Sequence, residues 1–254
     1  MNLFSRIWNS SLGKKYIMAV TGCGLFVFVV GHMLGNLQIF LGPEPINRYG
    51  AFLQNLGELL WVARISLLVL VVLHVISAVR LTAENRAARG QAYASYKPVG
   101  SSYASRTMMM SGLIIAAFII YHLLHFTVQT REINLTGKDF HALIDAKGRH
   151  DVFAMMVTGF SHPVVAIFYI VAMALLTLHL SHGVSSMFQS LGWKKGYYKR
   201  LLDNGARFIA IALFVGYVSI PIAVMLGYGR DYVRQQQAPN PPPVMTTPAN
   251  GGAQ

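Results

Sequence analysis

The sequence predicts an all-α integral membrane protein whose five spanning helices form one bundle. Its 254 residues are 54% hydrophobic and only 12% charged, with a positive mean hydropathy, outside ordinary soluble composition. Five stretches, 16–40, 59–79, 107–129, 163–188 and 206–228, stay predominantly apolar over ~20 residues or more, enough to cross ~30 Å of hydrocarbon. The positive charge alternates from one connection to the next, as it does in multi-pass proteins.

The elements follow in order. Residues 2–12 place Phe4, Ile7, Trp8 and Leu12 at helical spacing beside Arg6 and Lys14-Lys15, which predicts a helix lying in the membrane interface. The first span carries Gly24, Gly31 and Gly35 on one stripe, which suits either close helix packing or clearance for a bulky group. Val20-Thr21-Gly22-Cys23 resembles a lipoprotein processing site, but the apolar run continues to Phe40, as a spanning helix does. Gly42-Pro43-Glu44-Pro45 opens an external loop that leads into an interfacial helix before the second span. The third connection, 130–162, is polar and is expected to hold a short surface helix around 152–160. Ser161 and Pro163 supply cap and first-turn chemistry for the fourth span. These parts make one five-helix domain, 1–232; the glutamine- and proline-rich tail, 233–254, is expected to be disordered outside the membrane.

The net charge of +12 does not signal nucleic acid, because it is confined to alternate connections. Arg6, Lys14 and Lys15 precede the first span; Arg80, Arg86, Arg89, Lys97 and Arg106 fill the second connection; Lys194, Lys195, Lys199, Arg200 and Arg207 fill the fourth. Only Glu84 and Asp203 oppose them, whereas the other connections mix both signs. This asymmetry predicts a cytoplasmic N-terminus and, after five crossings, an external C-terminus. The lone cysteine, Cys23, excludes an internal disulfide, a Cys-ligated iron–sulfur cluster and two-thioether haem attachment.

Four histidines, His32, His74, His122 and His179, lie deep in four separate spans. Imidazole is costly in hydrocarbon, so four of them ask for a shared partner. Depth follows from the ~1.5 Å rise per residue. His32 lies 17 residues past Lys15 and His122 16 residues past Arg106, which brings both toward the outer face. His74, 6 residues before Arg80, and His179, past the middle of its inward-running helix, lie toward the cytoplasm. Matching depths pairs His32 with His122 and His74 with His179. Protohaem iron between each pair would satisfy the imidazoles and give two b haems stacked across the bilayer, with electron transfer rather than oxygen activation as the expected chemistry. His125 and His182 lie three residues beyond candidate ligands and spacing alone does not exclude them; depth favours His122 over His125, but His182 is as close to the level of His74 as His179 is.

Longer motifs connect these residues to a known family. Ser10-Ser11-x-Gly13-Lys14-Lys15-x-x-Met18-Ala19-x-Thr21-Gly22, Gly31-His32-x-x-Gly35-Asn36-Leu37-Gln38, Tyr121-His122-Leu123-x-His125-Phe126, and Leu178-His179-Leu180-x-His182-Gly183-x-x-Ser186-x-Phe188-Gln189-x-Leu191-Gly192 resemble the single-subunit dihaem cytochrome b558 anchor of succinate dehydrogenases and fumarate reductases. The resemblance covers about residues 5–228. It implies a five-helix anchor enclosing two b haems, with His32 and His122 on the outer iron and His74 and His179 on the inner. It also selects His179 over His182, leaving His125, His182, Arg80 and Arg106 as contacts for haem propionates or quinone.

The implied role is succinate:quinone oxidoreduction, with electrons passing from an iron–sulfur subunit through both haems to a membrane quinone, taken as menaquinone. A flavoprotein subunit and the iron–sulfur subunit would dock on the cytoplasmic side of a bacterial inner membrane, in a complex whose higher oligomer is left open. The anchor is then not catalytic alone, which agrees with the lack of a dinucleotide fingerprint and of a cysteine cluster. Quinone candidates are the polar groups at span ends, Gln38, Glu58, Ser11 and Lys14. The first alternative is the same anchor run as a quinol:fumarate reductase. A stand-alone dihaem transmembrane cytochrome b reductase and a haem-free transporter are the remaining classes.

Overall fold

A computed structural model describes residues 2–88 and 103–237. Residues 89–102, with Arg89 and Lys97, and the proline-rich run at 238–254 lie outside the described residues. Helix α1 (Leu3–Asn9) starts on Asn2, whose side chain accepts the Ser5 N–H, and Ser10 caps the start of α2 (Ser11–Leu37) in the same way. A tight helical turn over Gln38–Leu41 follows, and Gly42 at φ 99° breaks the run before α3 (Pro43–Gln54), which has proline in its first turn. Next come α4 (Glu58–Ala87), α5 (Tyr103–His122), α6 (Val152–Ser161), α7 (Pro163–Ser190), α8 (Tyr198–Met225) and α9 (Arg230–Gln237).

Among the described residues five helices are long and apolar enough to cross a membrane: α2 with its following turn, α4, α5 with the turn that extends it to Thr127, α7 and α8. The chain is an all-α multi-pass membrane bundle. Its helices outrun the apolar windows because backbone hydrogen bonding continues into the polar flanks, as at the Glu84 end of α4 and the Tyr198 end of α8. α2 runs unbroken through an exposed Cys23. α7 lies at the centre, packed on α8, α5 and α2, while α4 leans on α2. In α4 only Ser77 and Leu81 are buried, so most of this helix is exposed on the outside of the bundle.

The two ends of the bundle differ. One, called the basic end below, gathers the starts of α2, α5 and α8 and the ends of α4 and α7, with Lys14, Arg80, Arg106 and Lys194. There Lys14, 2% exposed, donates to the Trp8 carbonyl at 3.1 Å and pairs with Glu84 at 2.9 Å, and the Arg80 guanidinium sits 5.0 Å from the Trp8 ring centre. These contacts hold α1 against α2 and α4.

The other end is closed by α3, α6, α9 and the 128–151 loop. Here the structure departs from expectation. α6 is no surface helix: eight of its ten residues are buried. Phe153, Met156, Val157 and Phe160 join a core with Tyr169 and Val224, because α6 is wedged between α3, α7 and α8. Ser161 does not cap α7; that position belongs to His162, and the Ser161 hydroxyl donates to the Thr158 carbonyl at 2.7 Å. The first five residues of the expected disordered tail, 233–237, continue α9, which Tyr232 anchors by donating to Asp151 at 2.8 Å.

A polar knot ties these pieces together. Asn47, 1% exposed, donates to Asp151 at 3.0 Å and accepts the Phe153 N–H at 2.9 Å, while Asp151 accepts the Ala154 N–H and so caps α6. Arg149 bridges Glu44 at 2.7 Å and Asp145 at 2.7 Å, and Lys147 meets Glu44 at 2.9 Å. Hydrogen bonds from Arg149 and then Lys147 hold the Glu44 carboxyl down at about 2. Burial, together with the bond to Asp151, pushes the Tyr232 phenol up to about 12.

Candidate functional site

Four helices bring four imidazoles together in twos. His32 of α2 and His122, the last residue of α5, have ring centres 5.7 Å apart with planes at 84°. His74 of α4 and His179 of α7 have ring centres 6.4 Å apart with planes at 63°. Among the described residues no group of three or more His, Cys, Asp or Glu is placed to hold a metal ion. The histidines therefore form pairs, the number of axial ligands one porphyrin iron takes from a protein.

The rings are held from behind. Thr21 Oγ1 lies 3.1 Å from His74 Nδ1, Ser111 Oγ 3.4 Å from His179 Nδ1, and the Tyr169 phenol 3.3 Å from His122 Nδ1. Three of the four rings thus have Nδ1 engaged, leaving Nε2 for a ligand. Phe28 stacks on His32 and Phe118 on His122, with ring centres 5.2 and 6.0 Å apart. Tyr217 of α8 donates to the Val29 carbonyl at 2.7 Å, one turn before His32.

Glycines set the spacing. A Cβ on Gly22 would lie 3.2 Å from His74 Cε1, and one on Gly112 3.2 Å from His179 Cε1, so a larger residue at either place would push on a paired ring. Of the stripe in the first span, Gly24 faces Leu70 and Gly35 faces the Tyr49 ring; both are packing positions. Gly31, next to His32, has open space where its side chain would be.

The other candidates fall in different surroundings. His125 is fully buried in a single wide helical turn, Leu123–Thr127, with Nδ1 2.9 Å from the Tyr169 phenol and, among the described residues, no hydrogen-bond partner for Nε2. His182 is half-buried toward the basic end, within electrostatic reach of Lys194 and Asp203. Lys194 and Asp203 pair at 2.5 Å and Ser185 bonds both. Arg80 stacks on Trp8, and Arg106 is exposed near the start of α5. Of the quinone candidates, Ser11 and Lys14 lie at the basic end, where the Lys14 ammonium is committed to Glu84 and Trp8. Gln38 and Glu58 lie at the opposite end, half-buried and exposed respectively. The structure brings none of these four to a paired ring.

Thr21, Ser111 and Tyr169 were not singled out from the sequence as ring partners. A signal for two of them existed: Thr21-Gly22 stands 11 residues before His32, counted from the hydroxyl, and Ser111-Gly112 stands 11 before His122. Tyr169 had no such signal, because its approach to α5 depends on how α7 is rotated.

The family model described as succinate dehydrogenase/fumarate reductase transmembrane subunit matches residues 84–219, more than half of the chain. That stretch contains His122, His125, His179 and His182 and stops short of His32 and His74. No curated protein and no solved structure matches. The matched stretch runs from the end of α4 to within the last turns of α8, and the chain belongs to that family.

Proposed function

We propose that this member of the succinate dehydrogenase/fumarate reductase transmembrane-subunit family is a dihaem cytochrome b anchor that conducts electrons between a peripheral iron–sulfur partner and membrane quinone. The two histidine pairs carry the proposal. Two imidazoles that bind one metal from opposite sides, each through a bond of about 2 Å, stand with ring centres about 6 Å apart. The measured separations of 5.7 and 6.4 Å bracket that distance. Three rings with Nδ1 already in contact with a hydroxyl, and glycines that leave the Cε1 edges of His74 and His179 room, fit the same group.

His32 and His122 would hold the outer haem, His74 and His179 the inner. A haem held at each pair would supply a one-electron carrier. The protein's own part is to keep the four rings neutral, fixed and shielded from water by lipid-facing helices, while Phe28, Phe118 and Tyr217 pack around the outer pair. The basic end is assigned to the cytoplasm by the excess of Lys and Arg there. The flavoprotein and iron–sulfur subunits would dock on that side, against connections that present Lys195, Lys199 and Arg200 beside exposed Trp193 and Tyr197. Two electrons from succinate, delivered singly, with two protons taken up, reduce one quinone to quinol. Menaquinone is the expected acceptor.

A reduced-minus-oxidised spectrum of the purified membrane complex tests this. Two b-type components are expected, and a spectrum without any b-type band overturns the reading. Comparing succinate oxidation with fumarate reduction on the native quinone assigns the direction, with succinate oxidation the faster expected.

A further inference from the structure

Both inner-pair rings have Nδ1 against a hydroxyl of a neighbouring span, and a backbone carbonyl decides which way each proton points. Thr21 Oγ1 lies 2.7 Å from the Ile17 carbonyl and 3.1 Å from His74 Nδ1. A carbonyl only accepts and a hydroxyl has a single proton, so that proton goes to Ile17. Toward His74 the hydroxyl is left as an acceptor, and Nδ1 carries hydrogen. Ser111 repeats the arrangement: its hydroxyl donates to the Met108 carbonyl at 3.2 Å and lies 3.4 Å from His179 Nδ1. A neutral imidazole with hydrogen on Nδ1 presents a lone pair at Nε2, the form that binds a metal. Both hydroxyls are buried, so water does not compete for these bonds.

The two devices are copies of one pattern. On α2 the hydroxyl–glycine step Thr21-Gly22 precedes His32, and on α5 the step Ser111-Gly112 precedes His122 at the same spacing. Each helix therefore gives one ring to the outer pair and one hydroxyl to the inner. The adjoining glycine lets the inner ring close on that hydroxyl, since a Cβ would come 3.2 Å from Cε1 in both cases. The outer pair is built differently. One phenol, Tyr169, stands behind two rings there, 3.3 Å from His122 Nδ1 and 2.9 Å from His125 Nδ1.

The geometry points to Thr21 and Ser111 as a matched pair of positioning residues that hold His74 and His179 as Nδ1–H tautomers, with Nε2 left to ligate. This rests on the reading of His74 and His179 as axial ligands. An Nδ1–H bonded to oxygen makes the ligand more basic, which favours the oxidised iron; loss of the bond raises the inner midpoint potential.

The test is an optical redox titration of the full complex with Thr21→Ala and Ser111→Ala, with Thr21→Ser and Ser111→Thr as conservative exchanges. Haem content is measured alongside. Each alanine variant is expected to keep the outer midpoint and to shift the inner haem about tenfold toward its reduced form, ~59 mV for one electron. The conservative exchanges restore the parent value. Should alanine at 21 prevent assembly, Thr21→Val keeps the side-chain shape without the acceptor and carries the same expectation. An inner midpoint that stays at the parent value in both hydroxyl-free variants overturns the proposal. His74→Ala separates the two levels: if it retains both haems, the ligand reading fails rather than the positioning role.

Discussion

The pairing of the four imidazoles makes a quantitative prediction about combined substitutions. His32 stands 5.7 Å from His122, and His74 stands 6.4 Å from His179, so each candidate site takes one ring from each of two helices. Removing either ring of a pair disables that site, and removing the second costs nothing more, because the site is already lost. His74→Ala alone, His179→Ala alone and the two together are therefore all expected to lower haem from about two per chain to about one. The cross-pair double, His32→Ala with His74→Ala, is expected to leave about none. Haem per chain, measured by extraction and absorbance against protein mass, reads this directly. A within-pair double that loses both haems, with its singles each losing one, would refute the pairing, and so would a cross-pair double that keeps one.

Three further predictions concern the ends of the bundle. Asn47→Ala removes the donor to Asp151 and the acceptor for the Phe153 N–H in a buried knot, which should cost about 2–4 kcal/mol and lower the thermal midpoint in detergent; an unchanged midpoint would show that the knot does not hold α6. At the basic end, Glu84→Ala strands the buried Lys14 ammonium and should cost about 2 kcal/mol, whereas Lys14→Met leaves a half-exposed carboxylate and should cost about 1; the reverse order in thermal unfolding would contradict the burial difference. The folded Glu44 carboxyl is lowered to about 2 from 4.5, so its contribution is complete above pH 4.5 and fades as the pH falls toward 2. Glu44→Gln should accordingly be less stable than the parent at pH 6 and converge with it near pH 2, and a gap that persists at the acid end would count against the Arg149 and Lys147 bonds as its source.

Span count, the alternation of charge and the depth of each histidine are readable along the chain because they obey one-dimensional rules. A bilayer fixes how many apolar residues a crossing needs, and a helix converts residue number into height. The interior surroundings are not readable in that way. α6 has the composition of a surface-lying apolar helix, yet it is buried, since only the packing of α3, α7 and α8 shows what covers it. Ser161 has the chemistry of a cap, but its hydroxyl turns back to the Thr158 carbonyl. Asn47 and Asp151 meet across 104 positions, and nothing local marks either as the other's partner.

Sequence alone pointed to five membrane-spanning helices and to which imidazoles share a level, because hydrophobic length and helical rise are local quantities. Tertiary structure alone decided which way each ring faces and what stands behind it: Thr21 behind His74, Ser111 behind His179, and Tyr169 shared between His122 and His125. Those contacts depend on the rotation of every helix about its own axis. That rotation is set by packing between spans, with glycine at 22 and 112 admitting the neighbouring ring, and no residue read in its own helix reports it.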